Sequence, residues 1–267
     1  MISTSHIVLT IAGNVATLAL NRPDVRNAID DETRVEINAA LDQVARDRTV
    51  RALVLTGNGK AFCAGGDIRS MRTRMQAPAG EVAFNGWSRQ QRTHQAVAAL
   101  HKLGKPTIAA VNGAATGLGC DLALCCDFIV ASEAATFAMT YVLRGLIPDG
   151  GGLYFLPRRV GLARAKELIF TGRKLTAREA LACGMIDRVS MPENLLAEAC
   201  AWASELGMGS PAALALSKSI LDQTFELSTD QVFALGSQAQ AICYTTSEHR
   251  ASVESFLNKS APGAVTR

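Results

Sequence analysis

A glycine-rich turn, Asn112-Gly-Ala-Ala-Thr-Gly117-Leu-Gly119-Cys-Asp121, carries the residue types best suited to chemistry in this 267-residue chain. Gly113, Gly117 and Gly119 let the backbone bend sharply and lie against a ligand with no side chain between them. The apolar run at residues 122–126 reads as a following helix, so a helix N-terminus points into the turn. Its free N–H groups and positive dipole end suit an anion, or an oxygen that becomes anionic only during reaction. Two further turns share the pattern, Gly57-Asn-Gly59-Lys-Ala-Phe-Cys-Ala64-Gly65-Gly66-Asp67 and Gly145-Leu-Ile-Pro148-Asp149-Gly-Gly-Gly152. Each precedes a helical run, and the first two follow buried strands, an arrangement that lets both face one pocket. Taken alone, a single such turn is better explained by small residues packing a helix onto a strand. Two carboxylates stand in these segments. Asp121, in the first turn of its helix, favours the dipole there, and Asp149 in Pro148-Asp149-Gly150 reads on its own as a turn residue.

The elements that position these turns alternate along the chain. Residues 7–11 and 15–20 flank Ala12-Gly13-Asn14 and predict an opening hairpin. Asp30 or Asp31 caps a helix with apolar positions Val35, Ile37, Leu41 and Val44. Residues 52–56 and 107–111 are short apolar runs, as expected of strands covered on both faces. Residues 128–131 predict another strand, and 135–141 a short extended piece. Residues 72–87, with Pro78 and Gly80, lose periodicity and predict a long mobile loop over the pocket. Helical spacing returns at Val97, Leu100 and Leu103. Thr176 caps a helix that Gly184 ends, and from about residue 193 the pattern is helical, broken near 207–211 and around Ser228. Strands alternating with helices predict α/β architecture, with residues 1–192 as the core and 193–267 as a helical region embracing the core or a neighbouring subunit. Periodicity alone leaves open a doubly wound sheet or a coil of repeated ββα turns.

Composition narrows the function. A net charge of +3, with 19% charged residues and no basic block, gives no footprint for nucleic acid or a membrane surface. The 5% aromatic content leaves little for stacking on bases. Seven cysteines, at 63, 120, 125, 126, 183, 200 and 243, form neither a disulfide framework nor paired metal-ligand spacings, so no metal is expected. They read as reduced core residues and, with no signal-peptide pattern at the N-terminus, point to a cytoplasmic protein. A plain dinucleotide site is disfavoured, because neither of the first two turns has the G-x-G-x-x-G spacing.

Taken together, Asn21-Arg-Pro, Lys60-Ala-Phe-Cys-Ala-Gly-Gly-Asp67, Lys105-Pro-Thr-Ile-Ala-Ala-Val-Asn-Gly113, Leu156-Pro-Arg-Arg-Val-Gly161 and Phe170-Thr-Gly-Arg-Lys-Leu-Thr-Ala-Arg-Glu-Ala180 resemble the enoyl-CoA hydratase/isomerase (crotonase) family. The resemblance runs in order over nearly the whole chain. It implies a crotonase-like spiral of ββα units, a C-terminal helical region used for trimerisation, and a homotrimer or dimer of trimers. It also implies an acyl-CoA thioester substrate, with coenzyme A as part of that substrate and no separate cofactor. Family members hold the thioester carbonyl in an oxyanion hole of two backbone N–H groups, which by position are Gly66 and Leu118 here. Such donors stabilise a developing enolate oxygen by about 3 kcal/mol each. For CoA, Ala64 and Ile68 resemble backbone positions flanking the adenine, and Arg26 a basic residue that approaches the phosphates. Phe256 and Lys259 match a pair that reaches CoA from the neighbouring subunit, and equally suit an ordinary helix face.

The acid/base positions depart from the hydratase pattern. Hydratases of the family place one glutamate at the position of Asp121 and a second at that of Tyr141, one to orient water and one to handle the α-carbon proton. Asp149 instead matches the aspartate of enoyl-CoA isomerases of the dienoyl and phenylacetate-degradation types. Moving a double bond needs one group to take a proton from one carbon and return it to another, so one carboxylate suffices. An apolar pocket lined by Leu118, Tyr141 and Leu146 is expected around it. The leading expectation is an isomerase using Asp149. The alternative is a hydratase using Asp121 with water held by Tyr141 or Asp149. Further alternatives are an aspartate-nucleophile dehalogenase or thioester hydrolase, with His94 in its partner helix, and a catalytically silent CoA-binding scaffold.

Overall fold

The middle of the chain is one unit repeated three times: a strand, a short turn, a second strand and one or two helices. The computed structural model describes residues 2–4 and 6–259. Strands β1 (Ile2–Ser3), β2 (Ile7–Ala12) and β3 (Val15–Leu20) pair antiparallel, the last two as the expected hairpin. Helix α1 (Asp31–Arg46) follows, capped by Asp30, whose side chain accepts from the Thr33 N–H. Of its expected core positions Ile37, Leu41 and Val44 are buried, but Val35 is 63% exposed, because it turns away from the stripe that α1 lays on the sheet.

The first repeat is β4 (Ala52–Gly57), β5 (Ala61–Cys63), α2 (Ile68–Met75) and α3 (Ala79–His101). The second is β6 (Thr107–Val111), β7 (Ala114–Thr116) and α4 (Leu118–Leu124). The third is β8 (Phe128–Ser132), β9 (Thr136–Ala138), α5 (Gly152–Val160) and α6 (Leu162–Thr171), followed by β10 (Lys174–Thr176), α7 (Ala177–Ala182) and β11 (Arg188–Ser190). The first strand of each repeat joins a seven-stranded sheet, ordered β1-β2-β3-β4-β6-β8-β11, and the second joins a four-stranded sheet, ordered β10-β9-β7-β5. This division of each repeat between two sheets makes the chain a ββα spiral rather than a doubly wound sheet. α8 (Leu195–Leu206), α9 (Pro211–Leu221), α10 (Thr229–Tyr244) and α11 (Ser247–Lys259) complete the expected helical region.

The period-two pattern of the central strands, each covered on both faces, explains why they are apolar but for Thr56, Thr107 and Ser132. Leu53, Leu55, Ala109, Val111, Ile129 and Ala131 face the main core, while Ala52, Val54, Ile108, Ala110 and Val130 face the other way and are covered by Leu195, Ala199 and Ala203 of α8.

Two further expectations fail. Residues 72–87 do not form a long loop: α2 runs to Met75, and α3 starts directly after Pro78. Proline fits a helix start, and the buried residues of α3 are Thr93, Ala96, Val97 and Leu100, all in its second half. The first half therefore has no apolar stripe to betray it. Residues 135–141 are extended only as far as Ala138, after which Thr140–Arg144 turns as a 3-10 helix closed by Gly145.

Candidate active site

The loop after β5 and the turn before α4 meet backbone to backbone. Gly65 sits at φ +95°, where a Cβ would stand 2.6 Å from the Thr116 carbonyl oxygen and 3.4 Å from the Leu118 nitrogen. Only glycine allows that approach. Asn27, 1% exposed, clamps the first loop, its Nδ2 donating to the carbonyls of Asn58 at 2.9 Å and Ala61 at 2.8 Å. Ile29 forms a parallel bridge with Gly66, donating to the Gly65 carbonyl at 2.8 Å and accepting from the Asp67 N–H at 3.0 Å. The Gly66 N–H, between those two bonds, is turned the other way. Leu118 opens α4, where no helical carbonyl can reach its N–H. Among the described residues neither N–H finds a hydrogen-bond acceptor, so two donors stand ready on adjoining loops.

The CoA positions inferred from sequence fall into two groups. The left-handed turn at Arg26, φ 54°, lets its carbonyl accept the Ala64 N–H at 2.9 Å, which ties those two residues together. Arg26 and Ala64 are exposed, as is Ile68, which opens α2. Phe256 is exposed on α11, a helix packed against α10, and the Lys259 side chain lies outside the described residues.

The three acid/base candidates come together. Asp121 is wholly buried in α4, and the Tyr141 hydroxyl donates to its Oδ2 at 2.5 Å. The 3-10 turn aims that hydroxyl. The turn bearing Asp149 presses on the same carboxylate: a Cβ on Gly150 would lie 2.5 Å from Asp121 Oδ2 and 2.4 Å from Leu118 Cδ1. The N–H groups of Gly150 and Gly152 favour the charged carboxylate, yet neither reaches hydrogen-bond geometry with Oδ1, which has no partner. Burial dominates and pushes the Asp121 carboxyl up to about 7, with the nearby Asp149 charge adding to the rise and the Tyr141 hydrogen bond opposing it. Burial, followed by the charges of Asp121 and Asp149, holds the Tyr141 hydroxyl well above its ordinary value.

Asp149 lies in a different setting from the one expected. Its side chain is 20% exposed and faces Arg89 of α3, with Nη2 3.6 Å from Oδ2. Leu118 packs under Gly150, and Leu146 is 45% exposed, so the surroundings are not the apolar pocket expected from Leu118, Tyr141 and Leu146. His94, also on α3, donates from Nε2 to the Asp149 carbonyl oxygen at 2.9 Å. Asp149 also borders a groove of about 1020 Å³ lined by Trp87, His94, Ile147, Tyr154 and Phe155, among others. Nothing in the sequence marks Arg89, because it stands just past residues 72–87, whose pattern is that of a loop. Away from these elements, His6, Glu32 and Glu36 bring potential metal-ligand atoms within 4.8 Å of one another.

Residues 10–263 match the family model described as "Enoyl-CoA hydratase/isomerase". The chain belongs to the enoyl-CoA hydratase/isomerase family. It is 37% identical over 256 residues to the 1,2-epoxyphenylacetyl-CoA isomerase of Escherichia coli (strain K12), covering 96% of this chain and 97% of the relative. It is 35% identical over 255 residues to the crotonyl-CoA hydratase of Syntrophomonas wolfei, covering 95% of each. The enoyl-CoA hydratase/isomerase of Cupriavidus metallidurans CH34 superposes with a TM-score of 0.89 at 36% identity, covering 97% of this chain and 96% of that one. The fold is thus crotonase-like, and the protein is an enzyme of the hydratase/isomerase family.

Proposed function

We propose that this enzyme shifts a carbon–carbon double bond in an enoyl-CoA thioester, with Asp149 moving the proton and the Gly66 and Leu118 N–H groups holding the enolate oxygen. The observation that carries this reading is the unequal exposure of the two carboxylates. Asp149 is open to the site, whereas Asp121 is 0% exposed and bonded to Tyr141. One reachable carboxylate meets the needs of a 1,3-proton shift, in which the same group deprotonates one carbon and reprotonates another. Arg26, Ala64 and Ile68 are proposed to receive CoA, and the chemistry calls for no metal or cofactor beyond the CoA of the substrate.

A second reading, water addition, draws on the Asp121–Tyr141 pair. A buried carboxyl raised to about 7, bonded to a hydroxyl that also feels Asp149, is a second proton-holding unit beside the first. The hydratases among the relatives agree with it. A nucleophilic Asp149 has less support, because the His94 ring is engaged with the Asp149 carbonyl. Assembly as a trimer, with Phe256 and Lys259 reaching a neighbour's CoA, is supported by large apolar side chains exposed on and between α9, α10 and α11, among them Leu221, Phe225, Phe233, Ile242 and Val253. Among the described residues no helix is long and apolar enough to cross a membrane, and a cytoplasmic location is proposed from the free cysteines, four of them buried.

The test is conversion of a 3-enoyl-CoA to its conjugated 2-enoyl isomer, followed by the absorbance of the conjugated thioester, for the native enzyme and Asp149→Asn. Conversion by the native enzyme and its loss in the variant would support the proposal. Undiminished conversion by Asp149→Asn would remove Asp149 from the mechanism.

A further inference from the structure

Four guanidinium groups, those of Arg34, Arg74, Arg89 and Arg92, lie on α1, on α2 and on α3, the helix against which the other two pack, and one of them, Arg89, faces Asp149. Arg34 of α1 is fixed in the protein: its side chain is 3% exposed, its Nε donates to Thr93 Oγ1 at 2.9 Å, and its Nη1 pairs with Asp31 at 2.8 Å. Arg92 shares Asp31 at 3.7 Å, and Arg89 faces Asp149 at 3.6 Å. Arg74 lies in the last turn of α2, where its carbonyl accepts from the Ala77 N–H, and among the described residues its guanidinium makes no hydrogen bond or ion pair. Asp67, the other acid near Arg74, is already taken by Arg22 at 3.3 Å. Arg22 also pairs with Asp30 at 3.0 Å, so five cations stand against Asp30, Asp31, Asp67 and Asp149, and one positive charge is left without a carboxylate. The guanidiniums feel one another. Arg34 is brought down to about 10 by burial and then by Arg89, Arg74 and Arg92, with Asp31 opposing, and Arg74 is lowered by burial and then by Arg89 and Arg92. Folding does not gather like charges without cost, and an anion placed among them would offset that repulsion.

The position of the cluster argues for which anion. The CoA positions proposed above lie at the start of α2, whereas Arg74 is six residues further along that helix, roughly 9 Å away at 1.5 Å per residue. Arg89 touches the acid/base carboxylate itself, at the acyl end of the site. We infer that the acyl chain of the substrate ends in a second anionic group, a carboxylate, which Arg74 receives with Arg89 and Arg92 beside it. The preferred substrate is then a thioester of CoA with a dicarboxylic acid. This inference rests on the acyl-CoA reading of the site.

The experiment compares two six-carbon enoyl-CoA thioesters, one ending in a methyl group and one in a carboxylate, with native enzyme, Arg74→Gln and Arg74→Lys. The native enzyme should prefer the carboxylate-ended thioester in kcat/KM, and Arg74→Gln should reduce that preference roughly 10-fold to 100-fold, with Arg74→Lys restoring part of it. A native preference for the methyl-ended thioester would overturn the inference. So would an Arg74→Gln effect equal for both thioesters and repeated in the affinity for free CoA, because the anion received would then be a phosphate of CoA. Turnover of neither thioester by the native enzyme would instead refute the acyl-CoA isomerase and hydratase readings together, and the inference with them.

Discussion

Asp121 should make the protein less stable as pH rises from about 4 to about 7, and replacing it should remove that loss. Its carboxyl ordinarily ionises near 3.8 and is raised to about 7 in the folded state, chiefly by burial. Between those two values the folded chain keeps a proton that the unfolded chain has released, so the stabilisation is complete below the lower value, falls progressively across the window and is gone once pH passes the higher one. At about 1.36 kcal/mol per pH unit, the difference amounts to roughly 4 kcal/mol. Asp121 is fully buried, so solvent screening does little to reduce it. Asp121→Asn keeps an acceptor for the Tyr141 hydroxyl and cannot ionise. Urea denaturation at fixed protein concentration, at about pH 4 and about pH 8, would measure the effect. The variant should gain about 4 kcal/mol on the native protein between the two conditions. Parallel pH dependence for the two proteins would refute the argument, and with it the view that Asp121 holds a proton near neutrality.

Other perturbations address single links in the account. Tyr141→Phe leaves both buried oxygens of Asp121 without a side-chain partner and should cost about 1–3 kcal/mol of stability, measured by the same denaturation. Gly65→Ala forces a Cβ against the Thr116 carbonyl at a φ of +95°, which should displace the neighbouring Gly66 N–H and lower kcat by about 100-fold; unchanged kcat in steady-state assays would count against Gly66 as a donor. Thr176→Ala breaks the capping box that Thr176 forms with Glu179 at the start of α7, and should lower the denaturation free energy by about 1 kcal/mol with kcat unaltered.

What the sequence disclosed follows from where burial is strong. The runs at residues 52–56 and 107–111 lie between two covered faces, so every position but Thr56 and Thr107 is apolar and the strands are legible. Thr176 announces its helix because the cap is local chemistry. The first half of α3 buries nothing and begins after a proline, so its helical character depends on its attachment to the buried second half, which no short window contains. Arg89 was lost with it. Tyr141 is a different case. Its neighbourhood looked extended, and the 3-10 turn that sends its hydroxyl to Asp121 follows from the fit of that turn against α4, a contact between residues 20 apart in sequence. The pairing of the Gly66 and Leu118 donors came from the resemblance, and the backbone contact at Gly65 supplies its physical basis.

The central claim is that one carboxylate, Asp149, moves a proton within the substrate and adds no water. The measurement that tests it most directly is mass spectrometry of products formed in water labelled with heavy oxygen, from 2-enoyl and 3-enoyl thioesters of CoA, with the native enzyme and Asp149→Asn side by side. The account predicts a product of unchanged oxygen content with its double bond moved, absent from the Asp149→Asn reaction. A product carrying one labelled oxygen would contradict it and make the enzyme a hydratase working through Asp121, Tyr141 and Asp149.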